Sequence, residues 1–155
     1  RFSYNPIQIT KMFLLIGGTL IFAQGFFVRR FVGRVGEKRM ALAGILIGLI
    51  AFLMLSSLHG ESWFFISLFL MSTGVAFISP TLTSLTSLHS DEQDQGFHLG
   101  VFRSSGSMAR AIGPLLAGLI FFKYGSSFAY FLGALFLLIP FWFLFRVPQP
   151  ETKSK

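Results

Sequence analysis

The sequence lacks cysteine altogether and has only three histidines among its 155 residues. Without thiols, a disulfide framework and a thiolate metal or redox site are both excluded. His59, His89 and His98 lie at the ends of apolar stretches and are not paired at helical spacing, so we expect no metal site. The sequence also has no glycine-rich phosphate loop and no nucleophile elbow. We therefore expect no cofactor and no enzymatic activity.

Charge is scarce as well. Charged residues make up 12% of the sequence, against roughly 25% in soluble domains. The six acidic residues all lie between or beyond the long apolar stretches: Glu37, Glu61, Asp91, Glu92, Asp94 and Glu151. A carboxylate inside a membrane span is the usual proton carrier of a proton-coupled transporter. These stretches offer none, so a residue of that kind would have to lie elsewhere.

Apolar residues are abundant: 53% of the sequence is hydrophobic, 21 residues are Phe, and the mean hydropathy is +0.69. Five apolar stretches are each close to the ~20 residues that a helix needs to cross the hydrocarbon layer. The sequence thus predicts an all-α, polytopic membrane protein with a bundle over 1–146 and a cytoplasmic tail over 147–155. The predicted spans are 12–28, 40–58, 63–86, 97–122 and 127–145.

Basic residues are concentrated in the connector 29–39, RRFVGRVGEKR. This connector and the segment after the last span hold eight lysines and arginines, against three on the opposite side. By the positive-inside rule, the connector and the C-terminus are cytoplasmic and the N-terminus is outside. The simplest role of these cations is to fix this orientation and to contact anionic membrane lipid. Because they lie in connectors rather than on a folded surface, we expect no nucleic-acid partner.

The same connector resembles a signature loop of the major facilitator superfamily, Gly-x-x-x-Asp-Arg-x-Gly-Arg-Arg, in its degenerate second copy between helices 8 and 9. The similarity rests on Gly33, Arg34, Gly36, Lys38 and Arg39. Gly33 stands at the position of the signature Asp, and Arg29 stands at that of the leading Gly. The resemblance implies that this loop clasps helices at the inner gate.

Two further segments resemble the same family. Residues 95–118, QGFHLGVFRSSGSMARAIGPLLAG, look like helix 11 of drug/proton antiporters of the tetracycline-efflux type. The opening YNPIQI and the following helix with Gln24 and Gly25 look like the entrance to helix 8. The resemblance implies helices 8 to 12, most of one six-helix half, in the bacterial inner (plasma) membrane. The implied partners are the missing N-terminal half or other membrane chains, and a small-molecule substrate.

Two arginines lie in the fourth predicted span. Arg103 and Arg110 are seven residues apart and share one helix face with Ser107. A cation near the middle of a span costs at least ~2.5 kcal/mol, so Arg110 should face protein or water. It would then attract an anionic substrate group or neutralise a carboxylate on the missing half. The alternative is a structural role, with both arginines bonded to helix-end carbonyls or reaching the cytoplasmic surface.

Proline marks one candidate hinge. Gly113 and Pro114 follow Arg110, and proline removes a backbone donor and bends a helix. This site is either a gate between outward and inward states or a static kink. Gly44 and Gly48, which form a GxxxG pair in the second span, are interpreted as packing residues.

The leading functional hypothesis is a secondary transporter that exports small, amphipathic molecules by alternating access, with Gln24, Arg103, Ser107 and Arg110 on the translocation path. A second is an accessory or scaffold subunit of a larger membrane complex. A third, a channel, would need a polar pore lining that spans this apolar hardly provide.

Overall fold

The computed structural model describes residues 5–57, 59–91 and 93–148. Within these residues the regular structure is all helical. The elements in chain order are α1 (Pro6–Phe22), a π-helical segment (Ala23–Val28), α2 (Arg29–Val35), α3 (Glu37–Ser56), α4 (Glu61–Leu88), α5 (Gln95–Tyr124) and α6 (Ser126–Arg146). The first three elements form one continuous rod, so the described residues contain five helices long and apolar enough to span a membrane. The predicted all-α architecture with five spans is confirmed.

The helices are longer than most of the predicted spans. The span 12–28 lies inside the rod Pro6–Val35, and 63–86 lies inside Glu61–Leu88. The spans 97–122 and 127–145 lie inside α5 and α6, while 40–58 corresponds to α3, whose last residue is Ser56. Residue 58, the first four residues and most of the tail 147–155 lie outside the described residues. The sidedness of the two termini therefore stays a prediction.

The connector 29–39, expected to be a short link with a tight turn at its glycines, is mostly helical. Arg29–Val35 is helical and the next helix begins at Glu37. Only Gly36 interrupts the helical backbone between them. Its φ is 87°, a value that residues with a Cβ rarely adopt. Gly33 stays inside α2 because a single glycine weakens a helix by only about 1 kcal/mol. Gly125, with φ 86°, makes the equivalent one-residue break between α5 and α6.

The best-packed part of the bundle is formed by α3, α4 and α6, with α3 between the other two. Its core centres on Ala41, Ile45, Leu85 and Leu144. The helices α3 and α4 approach closely where Gly44 faces Gly74. A Cβ built on Gly44 would lie 2.9 Å from the Gly74 carbonyl oxygen, so backbone meets backbone there. This confirms that Gly44 serves helix packing.

The helices α1 and α5 flank this core. Neither α1 nor α5, both described along their whole length, contains a buried residue. Large apolar side chains cover much of the outside, such as Phe122, which is 90% exposed, and Ile21, which is 78% exposed. Apolar exteriors of this kind are suited to lipid and to further helices. The candidate site residues on α5 are therefore accessible rather than enclosed by the described residues.

Candidate functional site

One face of α5 carries the two arginines of the predicted site. Ser107 lies between them: its hydroxyl donates to the Arg103 carbonyl oxygen at 3.0 Å and accepts from the Arg110 guanidinium at 3.2 Å. All three residues are exposed. Ser107 therefore holds the Arg110 side chain along the helix, and most of the guanidinium N–H groups remain available to a ligand. These hydrogen bonds show the three side chains on one face of α5.

Arg110 lies at the middle of the helix. With α5 extending over Gln95–Tyr124, it is about 22 Å from either end at 1.5 Å per residue. Arg110 is therefore about as far from both ends of this apolar helix as a residue of α5 can be. No carboxylate pairs with Arg103 or Arg110 among residues 5–57, 59–91 and 93–148. The charge on Arg110 therefore has to be balanced by a ligand, by water or by a group outside the described residues.

A polar cleft of about 500 Å³ lies between the π-helical segment, α4 and α5. We call it the Gln24 cleft. The Gln24 amide lies on one side, and α4 supplies Ser79, Thr83 and Ser87, which recur every four residues and so share a face. The cleft offers both donors and acceptors in the otherwise apolar bundle. It is suited to a polar group that must leave water.

The hydrogen bonds inside the Gln24 cleft do not involve the Gln24 side-chain amide. The Thr83 hydroxyl donates to the Ser79 carbonyl oxygen at 2.9 Å, and the Gln95 amide donates to the Ser87 hydroxyl. In the described part of the chain, Gln24 itself makes no hydrogen bond. It also lies in a π-helical turn, a local geometry that is frequent at functional sites. Gln24 is therefore the residue of the cleft best placed to bond a ligand.

The cleft and the arginine face adjoin along α5. Leu99 lines the Gln24 cleft, and Arg103 is one helical turn further on, so the two side chains share a face. Arg110 follows two turns beyond Arg103. Gln24 thus lies at a cleft that α5 borders through Leu99, and the three predicted residues of α5 follow along the same face of that helix.

The predicted gating residues occupy two separate places. Gly113 and Pro114 lie inside α5, which continues helically through both, and a Cβ on Gly113 would meet nothing within 4 Å. Arg34 and Arg39 are exposed and make no hydrogen bond to the described residues. Their proposed role at a gate stays a prediction.

Lys38 is engaged within the bundle. Its ammonium donates to the Phe145 carbonyl oxygen at 2.8 Å and lies 5.7 Å from the centre of the Phe145 ring. A cation is favoured at this place because the last carbonyls of a helix are unpaired and carry partial negative charge. Lys38 therefore ties the start of α3 to the end of α6.

Replacing Lys38 with Met should lower the free energy of unfolding of the complete protein by about 1 kcal/mol, since a hydrogen bond from a charged donor is lost. Met keeps most of the side-chain length. Arg39→Gln is the matched control, because Arg39 is exposed and unbonded within the described residues. Thermal unfolding in detergent measures both changes. Equal shifts for the two variants would contradict the tie between α3 and α6.

The row of hydroxyl side chains on α4 was missed by sequence reasoning. Its signal was present in the four-residue spacing of Ser79, Thr83 and Ser87. What the sequence did not show is that this face of α4 meets Gln24 rather than lipid.

Known proteins resemble this chain over all or much of its length. Major facilitator superfamily domain-containing protein 10 is 29% identical over 156 residues in Mus musculus and 30% identical over 155 residues in Homo sapiens. Each alignment covers 100% of this chain and 34% of the relative. The methyl viologen resistance protein SmvA of Salmonella typhimurium is 36% identical over 99 residues, covering 61% of this chain and 20% of that protein. The chain thus spans about a third of the length of the first two relatives.

A solved structure agrees with these sequence matches. The crystal structure of the human organic anion transporter MFSD10 (TETRAN) superposes with a TM-score of 0.86 at 30% identity, over 93% of this chain and 34% of that one. The family model of the Major Facilitator Superfamily matches residues 2–155. That family consists of transporters rather than enzymes. From the fold and the match over nearly every residue, the chain belongs to the major facilitator superfamily.

Proposed function

We propose that the chain is the C-terminal portion, helices 8 to 12, of a secondary transporter that moves small organic anions by alternating access. The observation that carries the proposal is Arg110, an exposed cation at the centre of a membrane-spanning helix with no carboxylate partner in the described residues. An unpaired charge at that depth is costly unless it faces water or a ligand of opposite sign. An anionic substrate supplies that sign.

The rest of the arginine face supports an anion over a cation. Arg103 adds a second positive charge on the same side, and the acidic residues of the sequence lie at or beyond helix ends. Among the described residues on this face of α5, a cationic substrate would meet two positive charges and no negative one. A planar guanidinium also matches the geometry of a carboxylate or sulfonate with two parallel hydrogen bonds.

The names of the relatives point to two substrate classes. The human protein of the matched structure is described as an organic anion transporter, whereas the Salmonella relative is named for resistance to methyl viologen, a dication. The two arginines favour the first class. The Gln24 cleft would bond the uncharged polar part of the substrate, and the apolar side chains of α5 would contact its hydrophobic part.

The direction of transport, the type of antiporter and the membrane belong to the same proposal. Export is in keeping with the resistance named for the Salmonella relative. The likeness of residues 95–118 to tetracycline-efflux antiporters, the bacterial inner membrane and the cytoplasmic C-terminus stay predictions. In the alternative role, Arg110 neutralises a carboxylate on the N-terminal half of the transporter. Arg110 would then lie at the interface between the two six-helix halves.

The test is a comparison of two probes in proteoliposomes that contain the complete protein. We expect protein-dependent movement of 6-carboxyfluorescein, an aromatic anion, and none of methyl viologen. Movement of methyl viologen alone would contradict an anionic substrate. If neither probe moves and the protein co-purifies with another membrane chain, the accessory-subunit hypothesis replaces the transporter.

A further inference from the structure

A second cavity, of about 250 Å³, lies beside α2 at the end of the bundle that holds the basic residues 29–39. We call it the Arg29 crevice. One wall carries Arg29, Val32 and Gly33, and the opposite wall on α4 carries Pro80, Thr81 and Ser84. Pro80 and Ser84 also line the Gln24 cleft. The crevice is thus a separate recess next to the cleft, close to the membrane surface.

Arg29 gives the crevice its charge. Among its lining residues Arg29 alone is charged. Its side chain is exposed and makes no hydrogen bond within the described residues. A guanidinium presents five N–H donors and no acceptor, so its complement is an oxyanion. Arg30 and Arg34 on the same helix raise the positive potential around the opening.

Gly33 gives the crevice its space. It lies one turn after Arg29 on the same face of α2, and a Cβ built there would meet nothing within 4 Å. The glycine is therefore not required for close packing or for a positive φ. It leaves the wall of the crevice open at this position, where a longer side chain would occupy part of the space.

Within the described residues, the crevice thus combines an unbonded guanidinium with open space at Gly33. We propose that the Arg29 crevice binds an oxyanion, a phosphate or carboxylate group carried on an acidic lipid headgroup or on a soluble molecule.

One carboxylate opposes this binding. The Ser84 hydroxyl donates to a Glu37 carboxylate oxygen at 3.4 Å, so Glu37 lies beside the crevice wall. Its negative charge repels a bound oxyanion and occupies the Ser84 proton. Glu37→Gln should therefore tighten binding of the oxyanion, whereas removing Arg29 should weaken it. Opposite effects from the two positions are expected if the ligand is an anion bound near both Arg29 and Glu37.

Lipid binding by the complete protein tests the proposal. Delipidated protein is titrated with dioctanoyl phosphatidylglycerol or dioctanoyl phosphatidylcholine, and bound lipid is counted by native mass spectrometry. We expect phosphatidylglycerol to bind at least about fivefold more tightly, the preference that one cation near the surface confers. Arg29→Gln and Gly33→Leu should remove that preference, the first by charge and the second by filling the gap.

Arg30→Gln is the matched control, since it removes the same charge from a residue of α2 that does not line the crevice. It should keep most of the preference. If phosphatidylglycerol is not preferred but inorganic phosphate raises the melting temperature of the wild type and not of Arg29→Gln, the oxyanion is a soluble one. Absence of both effects, or equal effects of Arg29→Gln and Arg30→Gln, would overturn the proposal.

Discussion

Replacing Arg110 with Gln is expected to reduce transport of the anionic probe by the complete protein about tenfold or more. A charge-assisted hydrogen bond contributes roughly 1.5 to 3 kcal/mol, and 1.4 kcal/mol corresponds to a factor of ten. Gln keeps a polar, hydrogen-bonding side chain without the charge, so the loss of rate reports the charge. The measurement is the initial rate of 6-carboxyfluorescein movement in proteoliposomes.

Two further variants sharpen that prediction. Arg110→Lys keeps the charge but not the planar fork, so it should retain partial activity with a weaker apparent affinity. Lys123→Gln removes a cation from the last turn of the same helix, away from the predicted site, and should leave the rate unchanged. A full rate in Arg110→Gln, or an equal loss in Lys123→Gln, would remove Arg110 from the substrate path.

Replacing Gly74 with Ala should destabilise the bundle by about 2 kcal/mol, which is within the usual cost of overpacking. The added Cβ would lie 2.8 Å from the Gly44 carbonyl oxygen and 3.0 Å from the Gly48 backbone nitrogen. Both neighbours are backbone atoms of α3, so no side chain can rotate away and the two helices have to separate. Since α3 and α4 form the core with α6, the whole bundle would loosen.

The control for Gly74 is Gly18→Ala in α1, where the added Cβ would meet nothing within 4 Å. That variant should unfold at the wild-type temperature or slightly above it. Thermal unfolding of the complete protein in detergent, followed by intrinsic fluorescence, compares the two. Identical melting temperatures for Gly74→Ala and wild type would show that the close crossing of α3 and α4 is absent from the protein in solution.

The helices themselves could be predicted because each is a long apolar run, and length with hydropathy decides whether a segment crosses lipid. The boundaries were less predictable where charge and glycine occur together. RRFVGRVGEKR has the composition of a turn, yet its residues up to Val35 are helical and only Gly36 leaves the helical conformation. A helix that emerges from the membrane can carry charge, and composition alone does not separate that case from a loop.

Contacts between helices could not be predicted from the sequence. The Gly44 and Gly48 pair predicted a close approach, but not that Gly74 would be opposite. The shared face of Arg103, Ser107 and Arg110 followed from helical spacing, because all three lie on one helix. The Gln24 cleft could not be predicted from helical spacing, since it joins side chains of three helical elements. Faces within one element are readable from spacing, whereas faces between elements depend on tertiary packing.

The measurement that tests the central claim most directly is binding of 6-carboxyfluorescein to the complete protein in detergent, followed by fluorescence anisotropy. Binding separates recognition of the anion from the later steps of transport. A substrate site at Arg110 predicts saturable binding to the wild type and to Lys123→Gln, with an affinity at least about tenfold weaker in Arg110→Gln. Equal affinity in all three proteins would contradict it, because the anion would then bind without the arginine at the centre of α5.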